Sequence, residues 1–438
     1  MKATAKTAAA VTAAAMMGAG AAARAVPVVY DVTMAQVPNT RLVEVTYKLT
    51  NANAIVTLSI ETNGVAIPDS AVTRLSGDVC KVIAAAEGVT NTITWNAGAD
   101  WPEHEVDNAK ARVTAWSVDA PPQVMVIDLS KGTAASWPEN PYPCYYYTSL
   151  DALPGGVTNS VYKSTQLALR KICMNSMAPY GVFTMGEGTG VKQVTLTQDF
   201  YIGVYEVTQG QWFNVMGGPL PANFTDASSR AFRPMERVSY NDIRGSSDGA
   251  GWPANNAVDA GTFIGNLRVK TGNVNGFDLP TEAQWEYACR AGTTTCFNDG
   301  DGDANVSGDN ANTNVWLDAL GRYKFNGGYI DGVTPPPTDC GPANGTAIVG
   351  SYVPNAWGLY DTHGNEGEWC LDWYTSGLAG GEDPVGPEGA GLQYRVIRGS
   401  DWSHAASFCR SAARSFNTPS YSGSFIGLRV AAAVSFIE

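Results

Sequence analysis

The stretch "LPTEAQWEYACRAG", residues 279–292, sets the architecture of the larger part of the chain. Thr281-Glu282-Ala283-Gln284 has the form of a capping box, in which the Thr hydroxyl and the Gln side chain satisfy two orphan N–H groups at a helix start. Trp285, Ala288 and Cys289 then recur on one helical face, and Gly292 supplies the stop. The device recurs upstream: Thr208-Gln209-Gly210-Gln211 opens a helix that buries Trp212, Val215 and Met216, and Gly217-Gly218 ends it. Ser239 caps a third, short helix. Gly-, Asn- and Asp-rich loops separate these helices, above all residues 298–345, and long strands are few. Residues 175–438 therefore read as a loop-rich α+β domain, held together by buried Trp, by disulfides or by ions.

The chain in front of it reads differently. "RLVEVTYKL" places Val43, Val45, Tyr47 and Leu49 on one face, and "AIVTLSIETNG" does the same with Val56, Leu58 and Ile60 before an Asn63-Gly64 turn. "NTITWNAG" and "ARVTAWSV" add two more strands. Residues 26–120 are expected to form an all-β sandwich of immunoglobulin or fibronectin type. Pro121-Pro122 closes it, and residues 121–174, with runs such as "SWPENPYPCYYY", read as linker and domain edge.

Composition narrows the function. Of 438 residues 44% are hydrophobic and 16% charged, which excludes a disordered chain. A net charge of −13 with no Lys/Arg cluster argues against a nucleic-acid partner. Residues 1–25, "MKATAKTAAAVTAAAMMGAGAAARA", carry Lys2 and Lys6, an Ala-rich apolar run and an Ala23-Arg24-Ala25 cut site, the order of a signal peptide. Export to a secreted, periplasmic or cell-surface location is expected, with no transmembrane segment beyond. Export permits disulfides, but the eight cysteines, Cys80, Cys144, Cys173, Cys289, Cys296, Cys340, Cys370 and Cys409, contain no C-x-x-C. The three histidines, His104, His363 and His404, form no zinc motif.

Six blocks in order carry a resemblance: "GVFTMG" (181–186), "DFYIGVYEVTQGQW" (199–212), "RPMERVSYND" (233–242), the opening stretch, "NAWGLYDTHGNEGEWCLDWY" (355–374) and "RVIRGSDW…CRSAAR…GLRVA" (395–431). Together they resemble the sulfatase-modifying-factor family, whose best-known members are formylglycine-generating enzymes. The resemblance implies a variant of the C-type lectin fold, and an oxidase that converts a sulfatase cysteine to formylglycine with oxygen and copper held by two cysteines. Soft thiolates select Cu(I).

The chain departs from that pattern where the chemistry sits. His404 stands at the place of the first active cysteine, and the segment around the second is shortened, leaving Cys409 alone. Asp401 replaces the serine of the oxygen site, and Gly367 replaces the pocket tryptophan of Gly-Asn-x-Trp-Glu-Trp. His404 and Cys409 are the candidate copper ligands and catalytic groups. In the family the cysteine matching Cys289 is bridged into the C-terminal segment, which implies Cys409 as its partner, with Cys370 as competitor. The family's calcium set maps to Asp361, the Gly364 and Glu366 carbonyls, and Glu368, a density of hard oxygen donors that suits Ca²⁺. A second set would draw on Asn312, the Thr313 carbonyl and Asp331.

Three functions follow. The first is a non-catalytic, calcium-stabilised module that binds a polar ligand or extracellular protein in a pocket of Asp401, Trp402, His404, Trp369 and Gly367. The second is a divergent copper- and oxygen-dependent formylglycine-generating oxidase. The iron-dependent branch uses several histidines, and this domain holds only His363 and His404. A third is a display protein diversified over residues 400–425, a stretch rich in Ser, Tyr, Phe and Asn.

Overall fold

The computed structural model describes residues 25–131, 143–246, 257–272, 276–300, 313–388 and 391–434. The signal-peptide reading of residues 1–25 lies, apart from Ala25, outside the described residues, as does Asn312. Two compact units are present.

Among the described residues, the first unit is built on residues 25–125, with 144–159 and 434. Two antiparallel sheets form it. One runs Val28–Gln36, Val43–Thr50, Asn91–Trp95, Leu75–Gly77; in the other Ala54–Thr62 pairs with Lys110–Ser117, Val65–Ala66 and Val82–Ile83. The alternating residues meet in one core, with Val45, Tyr47, Leu49, Val56, Ile60 and Ile93 fully buried. Asn63 (φ 54°) and Gly64 (φ 78°) are both left-handed, the requirement of a tight two-residue hairpin turn.

In the second unit the three capped helices appear where their sequences place them. Gln209–Met216 carries the full capping box of Thr208 and Gln211, and Glu282–Arg290 that of Thr281 and Gln284. Ser239 caps the short Tyr240–Ile243. Ala291 at φ 46° takes the left-handed position that closes Glu282–Arg290, one residue ahead of Gly292. A fourth helix, Phe263–Thr271, capped by Thr262 and Gly272, has no counterpart in the sequence reading; its apolar pattern is weak and its caps sit in a polar loop.

The stretch 121–174 is more than linker and edge. It contains the strands Val124–Asp128, Cys144–Tyr147 and Gln166–Ile172, and the last pairs antiparallel with Phe200–Gly203. Phe200–Gly203 in turn pairs with Ala431–Ala433, so the two ends of the domain close on one sheet. A second sheet brings the C-terminal motifs together. Gly367–Trp373 lies antiparallel to Arg395–Arg398 and parallel to Ile426–Gly427, and Ser415–Asn417 flanks Arg395–Arg398. Helix Glu282–Arg290 packs on this sheet and on the strand Val182–Met185.

Candidate functional site

Beneath the C-terminal sheet lies an ionic core. The Arg429 guanidinium is fully buried and donates to both Glu368 carboxylate oxygens, at 2.6 and 3.0 Å, and to the Gly203, Val204 and Tyr360 carbonyls at 3.0, 3.2 and 2.9 Å. Trp285 Nε1 donates to Glu368 at 2.6 Å. A neighbouring cluster holds the end of strand Arg395–Arg398: Arg398 is ion-paired to Glu286 and, at 3.2 Å, to Glu282, and donates to the Ser411 and Ala413 carbonyls. Glu282 also holds Arg414 at 2.6 Å. Bidentate guanidinium–carboxylate geometry with the remaining donors on carbonyls is what makes such burial tolerable.

This core shares Glu368 with the four-residue calcium set. Both Glu368 oxygens are taken by Arg429 and Trp285, and the Gly364 carbonyl accepts the Glu366 N–H at 2.8 Å. Among the described residues no three His, Cys, Asp or Glu side chains converge as metal ligands. A calcium ion there would compete with Arg429 and Trp285 for Glu368. Asp331 sits exposed at a turn with φ 51°.

Further carboxyls lie beside the Arg429 pair, two of them, on Glu366 and Glu206, not foreseen from the sequence. Glu366, considered only for its carbonyl, has a fully buried side chain with neither oxygen hydrogen-bonded. Burial first, then the Glu236, Glu368 and Asp401 charges, holds it well above the ordinary carboxylate range. Glu206 accepts from Asn365 Nδ2 at 2.6 Å, and burial, then Asp361 and Glu366, pushes it well up too. Asp361 is pushed to about 6 by burial, against the Gly350 N–H it accepts.

Above this core the chain turns sharply. Gly399 (φ 87°) and Ser400 (φ 62°) are left-handed, and the strand exit folds Asp401 back under the following residues. The Asp401 carboxylate, nearly buried, accepts the Ser403 N–H and hydroxyl at 2.8 and 2.6 Å and holds His404 Nδ1 at 2.8 Å. That hydrogen bond raises the His404 pKa, against partial burial. The His404 side chain is 44% exposed and lies 5.2 Å from the Phe408 ring, itself 57% exposed, and 6.2 Å from Phe425. Tyr421 flanks Phe425. Trp402 is anchored through Nε1 to the Ser424 carbonyl at 2.9 Å and meets Phe224 edge-on and Tyr329. The result is a rigid aromatic face around an Asp–His pair.

Only part of the expected pocket is there. Asp401, Trp402 and His404 come together. Trp369 is instead core: fully buried, bonded through Nε1 to the Val238 carbonyl and edge-on to Tyr240. Gly367 is buried in the sheet, where a Cβ would meet Ile397 Cγ2 at 2.9 Å.

The cysteines also differ from expectation. None of the eight forms a disulfide. The Cys289 thiol lies against the Thr362 carbonyl at 3.5 Å and His363 Nε2 at 3.9 Å, pushed to about 11 by burial. His363 Nε2 accepts the Asn298 N–H at 3.2 Å, so the proton sits on Nδ1, which donates to the Cys409 carbonyl at 2.7 Å. Burial drives His363 to about 4. Position 409 thus reaches Cys289 through an imidazole rather than a sulfur bridge. The Cys409 thiol is fully buried against the Ala405 carbonyl at 3.8 Å, with its pKa raised far by burial and by Asp401. A thiol so buried, beside a His404 side chain 44% exposed, does not suit a shared copper site.

Residues 169–434 match the sulfatase-modifying factor enzyme 1-like domain, and the chain belongs to that family. It is 33% identical over 231 residues to the formylglycine-generating enzyme of Streptomyces coelicolor, covering 50% of this chain and 60% of the relative. It is 31% identical over 227 residues to the chaperone protein LppX of Paenibacillus barcinonensis, covering 48% of this chain and 71% of the relative. Against the formylglycine-generating enzyme of Bos taurus it is 35% identical but spans only 39% of that protein. Among solved structures, Treponema denticola variable protein 1 is 23% identical, with a TM-score of 0.44, and covers 62% of this chain and 96% of that one.

Proposed function

We propose that this chain is an exported, non-catalytic ligand-binding member of the sulfatase-modifying-factor family. Its binding face is Asp401, Trp402 and His404 with the exposed Phe408 and Tyr421, and its ligand is a polar group presented by a small molecule or an extracellular protein. One observation carries the reading: Cys409, the sole cysteine from Arg398 to Ala433, holds its thiol buried, protonated and pointed at a backbone carbonyl. Copper-dependent oxidation needs thiolates that a Cu(I) ion and a substrate can reach. The Arg429–Glu368 pair ties the Asp361–Glu368 motif to the rest of the domain. No helix among the described residues is long and apolar enough to cross a membrane.

The test is Cu(I) competition against a chromogenic chelator, together with mass spectrometry of a sulfatase-type cysteine peptide incubated with copper and oxygen. The proposal expects no stoichiometric copper and an unmodified peptide. Formylglycine in the peptide, lost in Cys409→Ser, would restore the oxidase.

A further inference from the structure

On a chain of net charge −13, the face around Trp402 brings two basic groups together. The Asp401 carboxylate is buried and already occupied: Oδ1 accepts the Ser403 N–H and hydroxyl, and Oδ2 holds His404 Nδ1. The other imidazole nitrogen, Nε2, has no hydrogen-bond partner among the described residues, and the side chain is half-exposed. The bond to Asp401 favours the doubly protonated ring, in which Nε2 is a donor.

Lys324 is the second group. Its backbone N–H donates to the His404 carbonyl at 2.9 Å, and its ammonium lies over the Tyr329 ring at 4.7 Å and the Phe325 ring at 5.3 Å. Among the described residues it has no carboxylate at ion-pair distance, not even the exposed Asp331 in the turn that follows. Its charge is near enough to oppose protonation of His404. Rings join the two groups: Tyr329 meets Trp402 at 5.8 Å, and His404 lies 5.2 Å from the exposed Phe408. Two like charges held near one another carry a Coulomb cost that a negative group between them removes. A carboxylate has an oxygen for each donor, and charge-assisted bonds of this kind are the strong ones. The surrounding rings suit an acid whose body is itself aromatic.

Resting on the ligand-binding reading above, we propose that this face takes an organic carboxylate with an aromatic body, its charge shared between the Lys324 ammonium and His404 Nε2. Isothermal titration of the full chain at pH 6 with phenylacetate and with N-acetyl-glycyl-phenylalanine tests it. Saturable binding of either acid is expected, with neutral phenylacetamide and inorganic phosphate inert. The tighter acid says whether a free small molecule or a protein C-terminus is the source. Lys324→Met and His404→Gln should each weaken binding by about tenfold or more, the order of magnitude a charge-assisted hydrogen bond supplies. NMR of the unmutated chain gives a second readout. The chain has three histidines, and saturating acid should move the His404 ring signals while leaving those of His104, in the first unit, in place. No saturable heat with either acid up to about 10 mM would overturn the proposal, as would binding unchanged in both variants, binding matched by phosphate, or an unmoved His404 signal. The two readings fail separately. Phenylacetamide binding here in place of the acids sinks the carboxylate and keeps a ligand site, whereas formylglycine in the cysteine peptide sinks the non-catalytic reading even where an acid binds.

Discussion

In the N-terminal unit the interior is Val45, Tyr47, Leu49, Val56, Ile60 and their neighbours, contributed two residues apart along strands. In the second unit the interior also holds Arg233, Arg244, Arg395, Arg398 and Arg429, all essentially shielded from solvent, beside Glu286, Glu366 and Glu368. The first core is non-directional: any apolar group of the right volume contributes through the area it removes from water. The second depends on direction. Arg233 alone reaches Asp226, the Thr346 carbonyl and the Cys340 carbonyl. A loop-rich domain has many backbone carbonyls outside any ladder, and buried guanidinium groups satisfy them where strands would otherwise have done so.

The largest effect that can break this contrast is at Arg429. Arg429→Met should cost about 3–5 kcal/mol, because it strands Glu368 as an uncompensated buried charge. Arg429→Met with Glu368→Leu should recover much of that loss in denaturant melts. A single-mutant cost below about 1 kcal/mol would show the pair to be incidental. In the sandwich, Ile60→Ala should cost about 2–5 kcal/mol, and there no second substitution at a distant residue should compensate.

The next test is pH. Glu366 and Glu206 keep their protons in the fold well above the point where the unfolded chain gives them up. The folded state then binds more protons, so stability rises as pH falls from 8 to 6.5. Glu236, pushed to about 7, adds to the rise as pH falls through that value and on toward 4.5. His363, lowered to about 4, acts oppositely, but only as pH drops from 6.5 toward 4. Melting at pH 6.5 should therefore exceed melting at pH 8, and Glu366→Gln should flatten the difference; an unchanged slope in that variant would remove Glu366 from the account. Smaller still is His404. Its imidazole should titrate above 6.5 by NMR and fall back toward that value in Asp401→Asn, with little change in global stability.

What can be read from the sequence follows the same divide. Period-two alternation locates the sandwich strands, and Ser/Thr caps locate three helices, because both signals are local. Gln166–Ile172 escapes such a reading because it is buried on a sheet whose neighbours come from residues 200–203 and, beyond them, 431–433. At the site, Asp401, Trp402 and His404 are legible together because they are adjacent in the chain. Trp369 and Gly367 fall outside the pocket expected of them, because whether a strand closes over a missing side chain depends on Ile397 across the sheet. Nothing local marks Arg429 as the partner of Glu368, 61 residues away, and a bridge between Cys289 and Cys409 presupposes sulfur against sulfur where His363 intervenes.

The Arg429 cage carries a final consequence. An ion held from solution has a dissociation constant, so the fold it supports weakens wherever that ion grows scarce. A guanidinium tied to the chain has none: its local concentration is fixed by covalent connection. Melting of the full chain should therefore be indifferent to EDTA and to added Ca²⁺, and a chelator-induced drop of more than about 2 °C would point to a bound ion instead. At this motif the counter-ion of Glu368 is carried in the sequence itself.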